Sequence, residues 1–189
     1  MTQGDSQLAV LPIRTFPDPV LRERAHEVEQ VTEAHRRLAD DMVETMREAP
    51  GVGLAAPQVG VLERIFVWEV DDEFGVVVNP QIVFRSEELV EEEEGCLSLP
   101  GIAFDVVRAA QVRVEGLDLQ GERLALEGED LLARVCQHEI DHLDGVLFID
   151  RLAPEMKREA LGRLREQALG LPPLPGAAAS STVPPEETL

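Results

Sequence analysis

Gln137-His138-Glu139-Ile140-Asp141-His142 is the segment that most restricts what this 189-residue chain can become. Two histidines four residues apart on a helix project their imidazoles from one face, and the intervening Glu139 lies beside them. That pattern asks for a helix, a buried setting for it, and a metal ion between the rings. The neighbouring residues answer the first two demands. Leu131, Leu132, Val135, Ile140 and Leu143 make residues 129–143 an apolar helix, which Asp144-Gly145 stops.

A catalytic divalent ion held this way takes three protein ligands and keeps one position open. The extended pattern HExxHxxGxxH runs through His138, Glu139, His142 and Gly145 but ends on Phe148, which cannot ligate. A glutamate from a following helix, Glu159 or Glu166, is another solution and would make the chain a metallo-endopeptidase, although neither has a supporting motif around it. Cys96 is the better third ligand. It sits in Glu94-Gly95-Cys96-Leu97-Ser98-Leu99-Pro100, where the glycine lets backbone approach a metal closely. Cys136 lies two residues before His138, about 200° around the helix, and therefore belongs to the core. With only these two cysteines, and neither in a CxxC pair, a disulfide scaffold is not expected.

The remaining pattern is that of a single domain with a tail. Thr32 caps a helix over 32–48 with Leu38, Met42 and Met46 at helical spacing, and Pro50-Gly51 ends it. The Gly- and Ala-rich stretch 51–60 is too flexible for a helix and too small for a core strand. Strand-like segments follow at Arg64–Val70, Val76–Asn79, Gln81–Phe84, 112–119 (broken at Glu115-Gly116) and around Leu124–Leu126. Pro154 opens a last helix, 154–168, with Met156, Ala160, Leu164 and Ala168 as its apolar stripe. Strands interrupted by a few helices, without βαβ alternation, indicate an α+β fold. Antiparallel or mixed sheets are expected to pack around the His138 helix, with a C-terminal helix completing a catalytic domain over 1–170. Residues 171–189 are Pro-rich with little apolar bulk and read as a disordered tail. A formal charge of −20 argues against DNA and anionic membranes as partners. No apolar run is long enough to span a bilayer, and Met1–Phe16 lacks the marks of a signal peptide, so a cytoplasmic protein is the expectation.

Three segments together resemble the signature of peptide deformylases: Gly51-Val52-Gly53-Leu54-Ala55-Ala56-Pro57-Gln58, Glu94-Gly95-Cys96-Leu97-Ser98 and Gln137-His138-Glu139-Ile140-Asp141-His142. They stand in order and suitably spaced, and the resemblance covers about residues 10–168. It implies removal of the formyl group from N-formylmethionyl peptides. Cys96, His138 and His142 would hold Fe²⁺, although Zn²⁺, Ni²⁺ or Co²⁺ also suit a mixed His/Cys site. Glu139 would be the acid/base, Gln58 and the backbone N–H of Leu97 the oxyanion donors, and the Gly53 backbone a substrate contact. The chemistry agrees. An activated water must attack an unreactive formamide carbon, and Glu139 takes its proton and delivers one to the departing amine. Glu94 and Arg108 match positions that brace the ligand loop. Without the resemblance, Glu94 is the end of a solvated acidic run and Gln58 a turn residue. Arg134 departs from the apolar residue that relatives often place along the methionine pocket, though its stem can still form a wall. The segment 151–168, with five basic and three acidic residues, resembles the helix through which relatives dock weakly on the ribosome, here through Arg158, Arg163 and Arg165.

Overall fold

A computed structural model describes residues 8–170; the Pro-rich segment expected to be a disordered tail lies outside the described residues. Helix α1 spans Glu33–Glu48, α2 Asp130–Leu143 and α3 Pro154–Ala168. The strands are β1 (Gly53–Ala55), β2 (Ile65–Val70), β3 (Glu73–Arg85), β4 (Leu89–Gly95), β5 (Ala103–Ala109), β6 (Gln111–Leu117) and β7 (Arg123–Glu129). Five of them form one antiparallel sheet in the order β1-β2-β3-β6-β7, and β4 pairs with β5 in a separate antiparallel hairpin. The architecture is α+β.

The large sheet lies between two helices, and β2 shows why. Its side chains alternate across the sheet. Phe66, Trp68 and Val70 share a core with Ala133, Val135, Cys136, Ile140 and Leu143 around α2. Ile65 and Val67 share another with Met42 and Met46 of α1. A strand covered on both faces has no need of polar alternation, so Ile65–Val70 is apolar almost throughout. The chain passes from β7 straight into α2, with Asp130 at φ +46° making the turn. The helix is thereby laid back across its own sheet.

Three expected interruptions take other forms. Asn79-Pro80 does not end a strand. β3 runs through it with a register shift between Val78 and Gln81. Asn79 sits at φ +51° and exchanges hydrogen bonds with the backbone of Val28 at 2.8 and 2.9 Å. Gly116 does not break β6 either, because a Cβ there would lie 2.7 Å from the Val78 carbonyl oxygen and only glycine permits that approach. The stretch 51–60, expected to be unsuited to a strand, contains β1 and a 3₁₀ turn over Ala56–Val59. Its small side chains are what let Leu54, Ala55 and Ala56 be fully buried.

The acidic run Glu91–Glu94 is strand β4, with Glu94 buried and the others facing solvent. Helix α3 docks under the β4–β5 hairpin. Ala160 and Leu164 enter a core with Leu99, Ile102, Val106 and Phe148, Met156 is half-buried against it, and Ala168 is exposed. Leu164→Ala is expected to lower stability by about 2–4 kcal/mol. Urea unfolding should show this as an earlier midpoint with an unchanged slope. A midpoint indistinguishable from that of the parent would mean that α3 adds no core.

Candidate metal centre

Helix α2 presents His138 and His142 on one face, as their spacing requires, and the β4 end brings Cys96 to them. The Cys96 Sγ lies 3.1 Å from His142 Nε2, which lies 3.2 Å from His138 Nε2. Among the described residues these three form a group of donors able to hold a metal, their ligand atoms lying within 4.8 Å of one another. Glu159 and Glu166 do not join them, and Glu159 pairs with Arg163 on α3. Phe148, which occupies the place of a third histidine in the extended pattern, stacks on the His138 ring at 6.3 Å.

The donor set fits a divalent ion. The two ring nitrogens and the sulfur face one another. His138 Nδ1 meets Glu94 Oε1 at 2.6 Å, which places a proton on Nδ1 and turns Nε2 toward the group. Burial alone would lower the His138 pKa. The Cys96 sulfur and the Glu94 carboxylate beside the ring outweigh burial and raise it well above the usual value. Burial, helped by His138, holds the His142 pKa well below its usual value, which keeps its imidazole neutral.

Glu139 is fully enclosed beside this group. Its Oε2 is buried without a hydrogen-bond partner, and burial pushes its carboxyl up to about 7. Gly53 makes the enclosure possible, since a Cβ there would collide with Glu139 Oε1. A cavity of about 620 Å³ opens over the site, with Gly53, Gln58, Cys96, Leu97, His138 and Glu139 in its wall. The structure therefore brings Gly53, Gln58, Cys96, Leu97, His138 and Glu139 to one cavity, with His142 behind Cys96 and His138.

Gln58 lies on the 3₁₀ turn and is 1% exposed. Its Oε1 accepts from the Ala55 N–H at 2.8 Å, which assigns the amide and leaves Nε2 toward Ser98 Oγ at 3.2 Å and Cys96 Sγ at 3.8 Å. The Ser98 N–H in turn reaches Cys96 Sγ at 3.4 Å. Ser98 thus orients both the amide and the sulfur, a role that no local pattern announces. An extended N-terminal segment straps the two loops together: Arg14 N–H donates to the Gln58 carbonyl at 2.7 Å and Phe16 N–H to the Ser98 carbonyl at 2.9 Å.

Glu94 is the hub behind His138. Arg108 forks onto it from β5, with Nε to Oε2 at 3.0 Å and Nη2 to Oε1 at 2.7 Å. Burial would raise the Glu94 pKa, but the bonds from His138 and Arg108 hold it well below the usual carboxylate range. The remaining nitrogen of the Arg108 fork, Nη1, donates to Asp141 at 2.6 Å, and Arg151 pairs with Asp141 from outside. Arg134 lines the cavity, as its position suggested, but its guanidinium is buried and bonded to Glu94 rather than presented to the cavity. Cys136 is buried in the α2 core, and burial pushes its thiol up to about 12. Both cysteines are free.

The family model for polypeptide deformylase matches residues 10–158. The peptide deformylase of Acidothermus cellulolyticus is 53% identical over 159 residues, covering 84% of this chain and 88% of its own. The crystal structure of peptide deformylase from Thermus thermophilus superposes with a TM-score of 0.80 at 50% identity, covering 85% of this chain and 96% of that one. The Ehrlichia chaffeensis enzyme, crystallised with actinonin, gives a TM-score of 0.81 at 39% identity over 84% of this chain and 98% of its own. With its fold, its donor set and its sequence in agreement, this chain belongs to the polypeptide deformylase family.

Proposed function

We propose that Cys96, His138 and His142 hold one divalent ion, that Glu139 moves the proton, and that Gln58 and the Leu97 N–H receive the developing charge. The chain is a metal-dependent hydrolase that removes the formyl group from the N-terminus of nascent polypeptides. The observation that carries the assignment of roles is the unpartnered Glu139 carboxylate, buried in the wall of the same cavity as the sulfur and imidazole donors.

When bound, a divalent ion supplies Lewis acidity toward a water and toward the formyl carbonyl. Glu139 takes the proton of the attacking water and returns one to the amine nitrogen as the C–N bond breaks. A carboxyl pushed up to about 7 by burial exchanges protons readily in both directions near neutral pH. Gln58 needs no rearrangement to serve, because Ala55 and Ser98 already fix its amide. The Gly53 backbone offers the substrate chain a surface flush with Glu139. We assign Fe²⁺ as the resident ion, with Zn²⁺, Ni²⁺ and Co²⁺ acceptable to the same donors. Among the described residues no helix is long and apolar enough to cross a membrane, and the reading places the enzyme in the cytoplasm with the formylated chains.

On α3, Arg158 and Arg165 are exposed, whereas Arg163 is held by Glu159 and over the Phe104 ring. These arginines are the contacts we propose for weak docking on the ribosome.

The direct test is formate release from formyl-Met-Ala-Ser, with the acetylated peptide as the control that should stay intact. Glu139→Gln is expected to keep its metal and lose roughly 10²–10⁴ in rate; metal lost in step with activity would make Glu139 a structural residue. For Gln58→Ala, kcat should fall roughly 10²–10³-fold while KM holds. An effect on KM alone would remove Gln58 from the oxyanion site. Reversing the charges of Arg158, Arg163 and Arg165 together should weaken cosedimentation with ribosomes, and unchanged cosedimentation disposes of docking through α3.

A further inference from the structure

Glu94 accepts from two arginines that reach it from different parts of the fold. Arg108 belongs to β5, the partner strand, and holds both carboxylate oxygens in one plane. Arg134 belongs to α2 and stands one helical turn before His138. Its Nη1 donates to Glu94 Oε2 at 3.0 Å and to the Val106 carbonyl at 2.9 Å, and its Nη2 reaches the Val90 carbonyl at 3.2 Å. The remaining Glu94 oxygen, Oε1, meets His138 Nδ1 at 2.6 Å. A closed loop results, running from α2 through Arg134 and Glu94 to His138 and back to α2.

We infer that Arg134 is a positioning residue for the metal ligand His138, acting through Glu94. The inference rests on the reading of His138 as a ligand. Arg108 ties the carboxylate to α2 from one side, through its Nη1 bond to Asp141 beyond His138. The β4–β5 hairpin has no strand ladder with the large sheet and meets it at its base, where Ser86 N–H donates to the Gln111 carbonyl and Ala110 N–H to the Glu88 carbonyl. Arg134 adds a second hold, on the other side of His138. It ties Glu94 and both hairpin strands to the helix that carries the ring, and the brace then moves with the ligand. The second guanidinium also balances the buried charges, Arg108 and Arg134 standing against Glu94 and Asp141. The charge of Glu94 is thereby shared among its donors instead of resting wholly on the Nδ1–H. A side chain that served merely as cavity wall would need none of these bonds.

The test is the affinity of the purified, folded protein for Zn²⁺, measured by competition with a chromophoric chelator. Arg134→Met keeps the stem and removes the donors. It is expected to bind Zn²⁺ about 10-fold more weakly, the lower end of what outer partners of metal ligands contribute. Arg134→Lys should recover part of the loss, since an ammonium reaches fewer acceptors than a fork does. In a Glu94→Gln background the Arg134→Met change should alter Zn²⁺ affinity by less than about 2-fold, because its route to the ring is already cut. Unchanged Zn²⁺ affinity in Arg134→Met, with a raised KM for formyl-Met-Ala-Ser, would make Arg134 a wall and overturn the inference. An undiminished loss in the Glu94→Gln background would overturn it as well. Should Arg134→Met not fold, the Lys variant carries the same cycle. His138→Ala separates the two readings: if it binds Zn²⁺ as the parent does, His138 is no ligand, whereas weak binding by His138→Ala beside normal binding by Arg134→Met counts against Arg134 alone.

Discussion

A carboxylate buried among four donors is expensive to assemble and hard to replace, and the site is organised around one. Glu94 is 5% exposed and is held by His138 and two arginines. Such clusters contribute little net stability, because desolvation offsets most of the attraction. Removing one member is different, since it strands the others in a medium that cannot solvate them, a loss of about 3–5 kcal/mol. What the cluster secures is placement. The β4–β5 hairpin meets the large sheet through no strand pairing, and Glu94, Arg108 and Arg134 are what fasten it to α2. Gln137 adds a neutral tie, its amide exchanging hydrogen bonds with the Ala109 backbone at 3.2 and 3.0 Å. The first histidine of the motif and the sulfur of Cys96 are thus located relative to each other by side chains that reach from the helix to the hairpin.

The same arrangement explains how much could be seen in the sequence. His138, Glu139 and His142 were legible because one helix carries them, and helical spacing is a local rule. Cys96 was legible through its glycine and through a second local segment. The partnership of Ser98 with Gln58 joins residues that no periodicity relates, and it exists only once the strap has drawn two loops together. Glu94 misleads in the other direction. Four consecutive glutamates look like a solvated face, yet the guanidinium groups of Arg108 and Arg134 hold Glu94 inside while its neighbours stay exposed. The sequence shows in Arg134 only a stem able to form a wall, while its bonds to Glu94 and to two strand carbonyls depend on tertiary packing. Turn signals were sound as markers of irregularity but not of its kind, as the bulge at Asn79-Pro80 shows.

Small residues decide how close the parts can come. Gly53 admits the Glu139 carboxylate and Gly51 the Leu97 side chain, whose Cδ1 would lie 2.8 Å from a Cβ at that position. A loop of ordinary residues here would hold the Gln58 and Leu97 side of the cavity away from the helix. The glycines serve contact rather than flexibility.

The N-terminal strap has a consequence for the order of events as the chain is synthesised. Arg14 and Phe16 leave the ribosome before their partners at Gln58 and Ser98 exist, and α2, which carries the histidines, is later still. This early segment is therefore among those that cannot settle until nearly all the rest has appeared. Contacts so far apart in sequence favour all-or-none assembly over piecewise growth. An enzyme that serves chains in the course of synthesis is thus built so that a partial copy of itself holds no working centre.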